Sequence, residues 1–318
     1  MIFNLTDEQK MIQETVRDFA ENEVKPVAAQ IDETDEFPWK IYKRMAELGL
    51  LAMTLPPEYG GSGADTVSWS IVEEELARAS AAVSDAQLLT KLMSHMILRH
   101  GTEEQKKKFV IPLGKGEKIC ATGMTEPDAG SDLKSIKTTA RRDGDYYILN
   151  GTKRFMTCGN IVDLIIALVY TDRSKGSKGM SSIIVEMGTP GFSRGKKEKL
   201  LGVRGLETSE LIFEDCRVPG KNILGEEGQG LKIALGSLDM GRIGIGSQAL
   251  GVAQAAMFLA PALPLADRVG NFRQVDLGFK EEMAFEEARR CLQCDLRLQI
   301  SSNPSPPEKW LTFDLSTI

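Results

Sequence analysis

A chain of 318 residues, 42% apolar and 26% charged, is long enough to bury a sizeable core and has the ordinary globular balance, which excludes wholesale disorder. Its 39 Lys and Arg against 45 Asp and Glu leave a net charge of −6, which argues against a nucleic-acid or other polyanion binder. No membrane span is expected either, because the longest apolar run, 161–170, is broken by Asp163 and falls far short of ~20 residues.

Residues 1 to about 114 read as helical. Thr6 followed by Gln9 matches a capping box, in which two orphan N–H groups are satisfied reciprocally. Ile12, Val16, Phe19, Ala20 and Val24 then recur at helical spacing. A second helix is expected over Trp39–Leu50, stopped by Pro56, Pro57 and a glycine-rich stretch. A third is expected over Thr66–Ala79 and a fourth over about Val83–Arg99, with Gly101 as its C-cap. Thr102 and Gln105 repeat the capping-box spacing.

From Glu117 to about Val218 the period switches from helical to alternating. Asp143-Gly144 between Lys137–Arg142 and Tyr146–Leu149 predicts a two-residue hairpin with both turn residues at positive φ, and Asn150-Gly151 repeats the signal. Val162–Tyr170, Ser181–Met187 and Ser209–Phe213 are further strands by their β-branched content. No helix-length segments separate them, so an antiparallel β domain is expected rather than a βαβ sheet. Helix returns over about Glu227–Phe258, with Leu231, Ala234, Leu235, Leu238, Ile245 and Leu250 compatible with one buried face. After Pro261 and Pro264 one further helix is expected over Lys280 to about Leu298, then a flexible stretch over 301–307.

The common catalytic signatures are absent. His95 and His100 are five apart, off the spacing that puts two metal ligands on one helix face, and read as surface or helix-end histidines. Gly244-Ile-Gly-Ser-Gln-Ala249 imitates a dinucleotide fingerprint but follows helix rather than strand, so those small residues read as close helix packing. Five cysteines, at 120, 158, 216, 291 and 294, form no disulfide framework in a chain this long. With no signal-type apolar core or Arg-rich leader in 1–10, they point to the cytoplasm. The most informative run is Thr122-Gly-Met-Thr-Glu-Pro-Asp-Ala-Gly-Ser131, a strand end and loop that offers hydroxyls and backbone N–H groups to something polar. Downstream, Phe155-Met-Thr157 sets an apolar ring beside a hydroxyl, which suits stacking on a cofactor ring.

Residues 1 to about 256 resemble the acyl-CoA dehydrogenase family. The matching segments, in order, are Leu55-Pro-Pro-Glu-Tyr-Gly-Gly-Ser-Gly63, Met124-Thr-Glu-Pro-Asp-Ala-Gly-Ser-Asp132, Leu149-Asn-Gly-Thr-Lys153 with Phe155-Met-Thr157, Leu201-Gly-Val-Arg204, Phe213-Glu-Asp-Cys-Arg-Val-Pro219 and Asp239-Met-Gly-Arg-Ile-Gly-Ile245. The resemblance implies an α+β fold: an N-terminal all-helical domain over 1–115, a central antiparallel β domain lining a flavin over 116–225, and the start of a C-terminal helical bundle over 226–260. A divergent tail over 261–318 leaves that bundle incomplete.

The resemblance implies FAD as cofactor. Thr122, Gly123, Met124, Thr125, Glu126, Pro127, Asp128, Ala129, Gly130 and Ser131 would line it, with Phe155, Met156 and Thr157 covering another side of the ring. Ser131 would also touch the acyl-CoA substrate, and Asp239, Met240, Gly241 and Arg242 match the positions that meet its CoA portion; an arginine there suits phosphate and adenine. The implied reaction is α,β-dehydrogenation of an acyl-CoA thioester. A carboxylate takes the α-proton, the β-hydride moves to the flavin, and an electron-transferring flavoprotein collects the electrons. The family's catalytic glutamate has no counterpart here; the position that carries it in some branches is Gly241, so no catalytic residue is assigned. The homo-oligomer implied by the family packs through its C-terminal bundle, and this sequence leaves it open.

Glu287-Ala-Arg-Arg-Cys-Leu-Gln-Cys-Asp295 resembles a cysteine segment of iron–sulfur flavoprotein oxidoreductases related to the glutamate synthase small subunit. Two thiolates supply half of a four-ligand site, and no metal is assigned. Three functions therefore stand side by side: a flavin-dependent acyl-CoA dehydrogenase, a non-catalytic remnant of a fused or truncated gene, and an electron-transfer adaptor using Cys291 and Cys294.

Overall fold

The structure is a computed structural model that describes residues 4–259. The expected tail helix, the linker and the Cys291/Cys294 pair lie outside the described residues. Both capping boxes form: the Gln9 N–H donates to Thr6 Oγ1 at 3.2 Å while the Thr6 N–H donates to Gln9 Oε1 at 3.0 Å, and Thr102 and Gln105 repeat the exchange. Thr6 opens α1 (Asp7–Phe19), which continues through a π-type turn into α2 (Lys25–Thr34). Next come α3 (Trp39–Glu47), α4 (Thr66–Ala79), α5 (Ala81–His100), α6 (Glu103–Gln105) and α7 (Ile111–Gly114). Helix α3 stops three residues before the expected Leu50, where Gly49 takes φ +74° and turns the chain. Trp69, Val72 and Leu76 of α4 and Val83, Ala86 and Leu88 of α5 are buried in one core.

The sheet comprises β1 (Cys120–Gly123), β2 (Thr139–Asp143), β3 (Tyr146–Met156), β4 (Leu164–Tyr170), β5 (Met180–Glu186), β6 (Phe192–Lys197), β7 (Ser209–Pro219) and β8 (Ile223–Leu224). Its order is β6-β7-β3-β2-β4-β5-β8, with β1 added to β4. Antiparallel pairs dominate, as expected. Two contacts are parallel, β1 along β4 and the single pairing of Thr139 with Tyr170, because the β2–β3 hairpin intervenes before the chain returns as β4.

Two turn expectations need correction. The hairpin between β2 and β3 turns at Gly144-Asp145, one residue later than expected, since Asp143 pairs with Tyr146 and only Gly144 has positive φ. Asn150-Gly151 is not a turn. β3 runs straight through it with a register shift against β7 between Leu149 and Gly151. A Cβ on Gly151 would lie 2.4 Å from Thr138 Oγ1, so the glycine serves a bulge and a close approach rather than a hairpin.

The long helix α8 (Gly230–Leu259) closes the described chain. Its packing face also differs from expectation. Leu235, Ile245 and Leu250 are 45%, 52% and 49% exposed, while Ile233, Ala234, Gly241, Gly244, Gln248 and Gly251 are turned inward. A Cβ on Gly244 would lie 2.5 Å from Leu88 Cδ1 and 2.7 Å from Trp69, and one on Gly251 would lie 2.2 Å from the Glu74 carbonyl. Glycines thus bring α8 against α4 and α5; of the Gly-Ile-Gly-Ser-Gln-Ala segment Gly244 makes the expected close approach, whereas Gly246 is exposed and meets nothing within 4 Å.

Candidate flavin and acyl-CoA site

The loop after β1 and the end of β3 are tied together by backbone and by charge. The Arg154 N–H donates to the Thr125 carbonyl at 2.9 Å. Lys153 Nζ donates to Glu126 Oε1 at 2.7 Å and lies 3.4 Å from the Met124 carbonyl, with the lysine fully buried and Glu126 only 6% exposed. The carboxylate also accepts from the Lys137 N–H at 2.5 Å and the Thr138 N–H at 3.1 Å. Burial drives the Lys153 pKa down to about 8 against the pull of Glu126. Burial raises the Glu126 carboxyl, but the ammonium and these donors more than offset it and hold the group below its ordinary range.

Beyond this pair the strand bulges. The β3–β7 register shifts between Lys153 and Met156, and Phe155 sits at φ +56°, a conformation that a bulky residue rarely adopts. The bulge turns the Phe155 ring outward, 55% exposed, with the Arg154 guanidinium 4.9 Å from its centroid. Thr125 and Thr157 are half-buried, and neither hydroxyl is engaged by another described residue. Met156 and Cys158 are buried behind the turn, Cys158 also at positive φ, with its thiol pushed well up by burial. An exposed aromatic ring on a strained residue, beside two available hydroxyls, fits a planar group with a polar edge.

Of the other loop positions, Thr122 Oγ1 donates to the Ile166 carbonyl at 3.3 Å and Gly123 is packed against the Lys153 side chain. Pro127, Asp128, Gly130 and Ser131 are exposed, and Glu126 and Ala129 close the turn with paired backbone hydrogen bonds of 2.8 and 3.2 Å. Ala129 is buried with Ala234 of α8, and Met124 and Leu231 pack against the same cluster. The loop is therefore seated on the first turns of α8. Two turns further along that helix, Arg242 pairs with Asp239 at 2.6 Å, both more than 70% exposed. Met240 is half-buried, and Gly241 is buried facing Leu92, at 3.4 Å from a built Cβ.

The sequence reading singled out the loop but not Lys153. An inward position in an alternating strand carrying lysine, 27 residues from a glutamate, was the available signal. It also missed a buried polar network between helices. Glu73, fully buried, accepts from Trp69 Nε1 at 3.1 Å, Ser84 Oγ at 2.5 Å and Gln248 Nε2 at 3.1 Å, and burial raises its pKa to about 8. Lys91, 2% exposed, lays its ammonium 3.1 Å above the Trp69 ring and has no hydrogen-bond partner among the described residues. His95 is not a surface residue: its Nε2 lies 2.8 Å from Thr54 Oγ1, and burial lowers its pKa to about 4. His100 does end α5. Among the described residues there is no cluster of metal-ligating side chains and no helix long and apolar enough to cross a membrane.

Known proteins resemble this chain over most of its described length. Residues 6–117 match the acyl-CoA dehydrogenase N-terminal domain and residues 121–216 the acyl-CoA dehydrogenase middle domain. The short-chain specific acyl-CoA dehydrogenase of Clostridium acetobutylicum is 49% identical over 259 residues, which are 80% of this chain and 68% of that protein. The butyryl-CoA dehydrogenase structure from Megasphaera elsdenii is 38% identical at a TM-score of 0.78, covering 94% of this chain and 79% of that one. An acyl-CoA dehydrogenase from Bacillus anthracis, solved with FAD, is 36% identical at a TM-score of 0.74, covering 85% and 45%. The chain spans about two thirds of the length of the curated relatives it matches, 62 to 68% for three of them. On these similarities, across both domains and most of the described chain, it belongs to the acyl-CoA dehydrogenase family.

Proposed function

We propose that this chain binds FAD and an acyl-CoA thioester and takes part in α,β-dehydrogenation of the acyl group, with an electron-transferring flavoprotein as electron acceptor. The observation that carries the reading is the Phe155 bulge beside Thr125, whose exposed ring and free hydroxyl suit a flavin, in a chain of this family. FAD, when bound, supplies the hydride acceptor.

The chain's own residues would do the rest. Thr125 and Thr157 would donate to the polar edge of the ring, and Phe155 would cover an apolar part of it from water. Exposed Ser131 and the Asp239–Arg242 pair would hold the CoA portion, the guanidinium meeting phosphate. The acyl group would be short, as in the short-chain specific relative.

The α-proton needs an acceptor, and Gly241 offers no side chain. This observation favours a second reading, a chain that binds but does not turn over. Purified full chain titrated with FAD, then with butyryl-CoA under anaerobic conditions, separates the two. Bound flavin that bleaches supports dehydrogenation; bound flavin that keeps its absorbance while the thioester shifts its spectrum supports binding alone. A chain that takes up no FAD would defeat both.

A further inference from the structure

A buried ion pair joins the loop 122–131 to the strand that carries the Phe155 bulge. Lys153 is fully buried on β3, two residues before Phe155, and Glu126 follows Thr125 directly. Their 2.7 Å contact joins the two backbones one residue from Thr125 and two from Phe155. Three backbone contacts complete the clamp. The Lys137 N–H donates to the other carboxylate oxygen, Oε2, the Thr138 N–H donates to Oε1 beside the ammonium, and the Arg154 N–H fixes the Thr125 carbonyl.

A buried ion pair of this kind adds little net stability, because desolvating both charges cancels much of their attraction; its better-supported value is to specify one arrangement. Here that arrangement sets the distance between Thr125 and the Phe155 ring. The packing leaves little slack: a Cβ on Gly123 would lie 3.1 Å from Lys153 Cγ, so the lysine stem and strand β1 are already in contact.

We propose that Lys153 and Glu126 are positioning residues for the flavin site, setting the register of the 122–131 loop against the Phe155 bulge and through it the affinity for FAD. The proposal rests on the FAD reading above. It removes Glu126 from the residues that would touch the flavin, since the carboxylate is spent on Lys153 and two backbone donors.

Two readouts in the full chain test it. The double variant Glu126→Gln/Lys153→Met removes both charges together and leaves no lone ion buried. Amide exchange without FAD is expected to rise at least tenfold at Ala129 and Arg154, with α4 and α5 amides unchanged as the check on folding. FAD affinity, followed by quenching of flavin fluorescence, is expected to fall ten- to a hundredfold, with a shifted visible spectrum of the bound flavin. Lys153→Arg, which keeps the cation, should hold both readouts closer to the parent than Lys153→Met. Unchanged loop exchange would overturn the proposal, and so would a loosened loop with parental FAD affinity. If the parent itself takes up no FAD, the functional reading fails and the flavin half of the proposal with it, while the exchange data still judge the register claim.

Discussion

Among the described residues two lysines are buried, and their surroundings differ. Lys153 in the sheet has a carboxylate at 2.7 Å, itself anchored by backbone donors. Lys91 between the helices has the face of Trp69 and no hydrogen-bond partner among the described residues. An acid on α4, Glu73, already accepts from three neutral donors; these favour its ionised form, but burial outweighs them and raises its pKa to about 8. The contrast separates two uses of buried polarity. In the sheet, opposite charges lock one register beside the candidate site. Between the helices, mostly neutral hydrogen bonds tie α4, α5 and α8 together, and one cation is accommodated rather than paired.

The largest expected effect breaks the paired side of this contrast. Glu126→Ala would leave the Lys153 ammonium buried without its partner and free two backbone N–H groups. Stability is expected to fall by about 3–5 kcal/mol, read from urea unfolding with an unchanged slope. A loss under 1 kcal/mol would show that water reaches Lys153 and that the pair is not sealed.

The helical side predicts a pH dependence of definite sign. Glu73 has a folded pKa of about 8, above its ordinary carboxylate value, so the native state holds a proton that the unfolded chain releases. Its contribution to stability is complete below the unfolded pKa and is lost as pH rises toward about 8, at up to about 1.4 kcal/mol per unit. Glu73→Gln should flatten this decline between pH 5 and 8. Equal slopes for parent and variant would mean that Glu73 ionises normally.

A smaller effect is expected where the helices touch. Gly244→Ala would press a methyl against Leu88 Cδ1 and the Trp69 ring, costing roughly 1–3 kcal/mol as α8 shifts outward. Thermal unfolding reads the loss, and a neutral outcome would place more free space at this junction than the contacts at Gly244 allow.

These elements also show what a sequence displays and what it hides. The capping boxes at Thr6 and Thr102 were legible because every atom they need lies within four residues. Asn150-Gly151 was misread because the pattern that makes a hairpin also permits a bulge, and only the approach of Thr138 decides between them. The face of α8 was misread for the reverse reason. Large apolar residues usually mark the buried stripe, but here glycines do, since close helix approach leaves no room for Leu or Ile. Within the site, the loop residues stood out by composition. Lys153 did not, because a lysine in a strand reads as solvent-facing until its partner is seen.

The smallest expected effect concerns the unpaired side. Lys91→Met keeps the length of the side chain and its packing on Trp69 while removing the charge. The cation above the ring gains about 2 kcal/mol when desolvated, but burying an ammonium without a carboxylate costs several. Desolvation wins, so the variant should lie within about 1 kcal/mol of the parent at pH 7, or above it. Burial lowers the Lys91 pKa to about 8, so between there and its ordinary value the unfolded chain binds more protons than the native state. Parental stability therefore gains from this group as pH rises through that window, alongside a similar gain from Lys153, and Lys91→Met should lose its own share of the rise. A variant destabilised by 3 kcal/mol or more would erase the contrast, because Lys91 would then depend on a partner as firmly as Lys153 does.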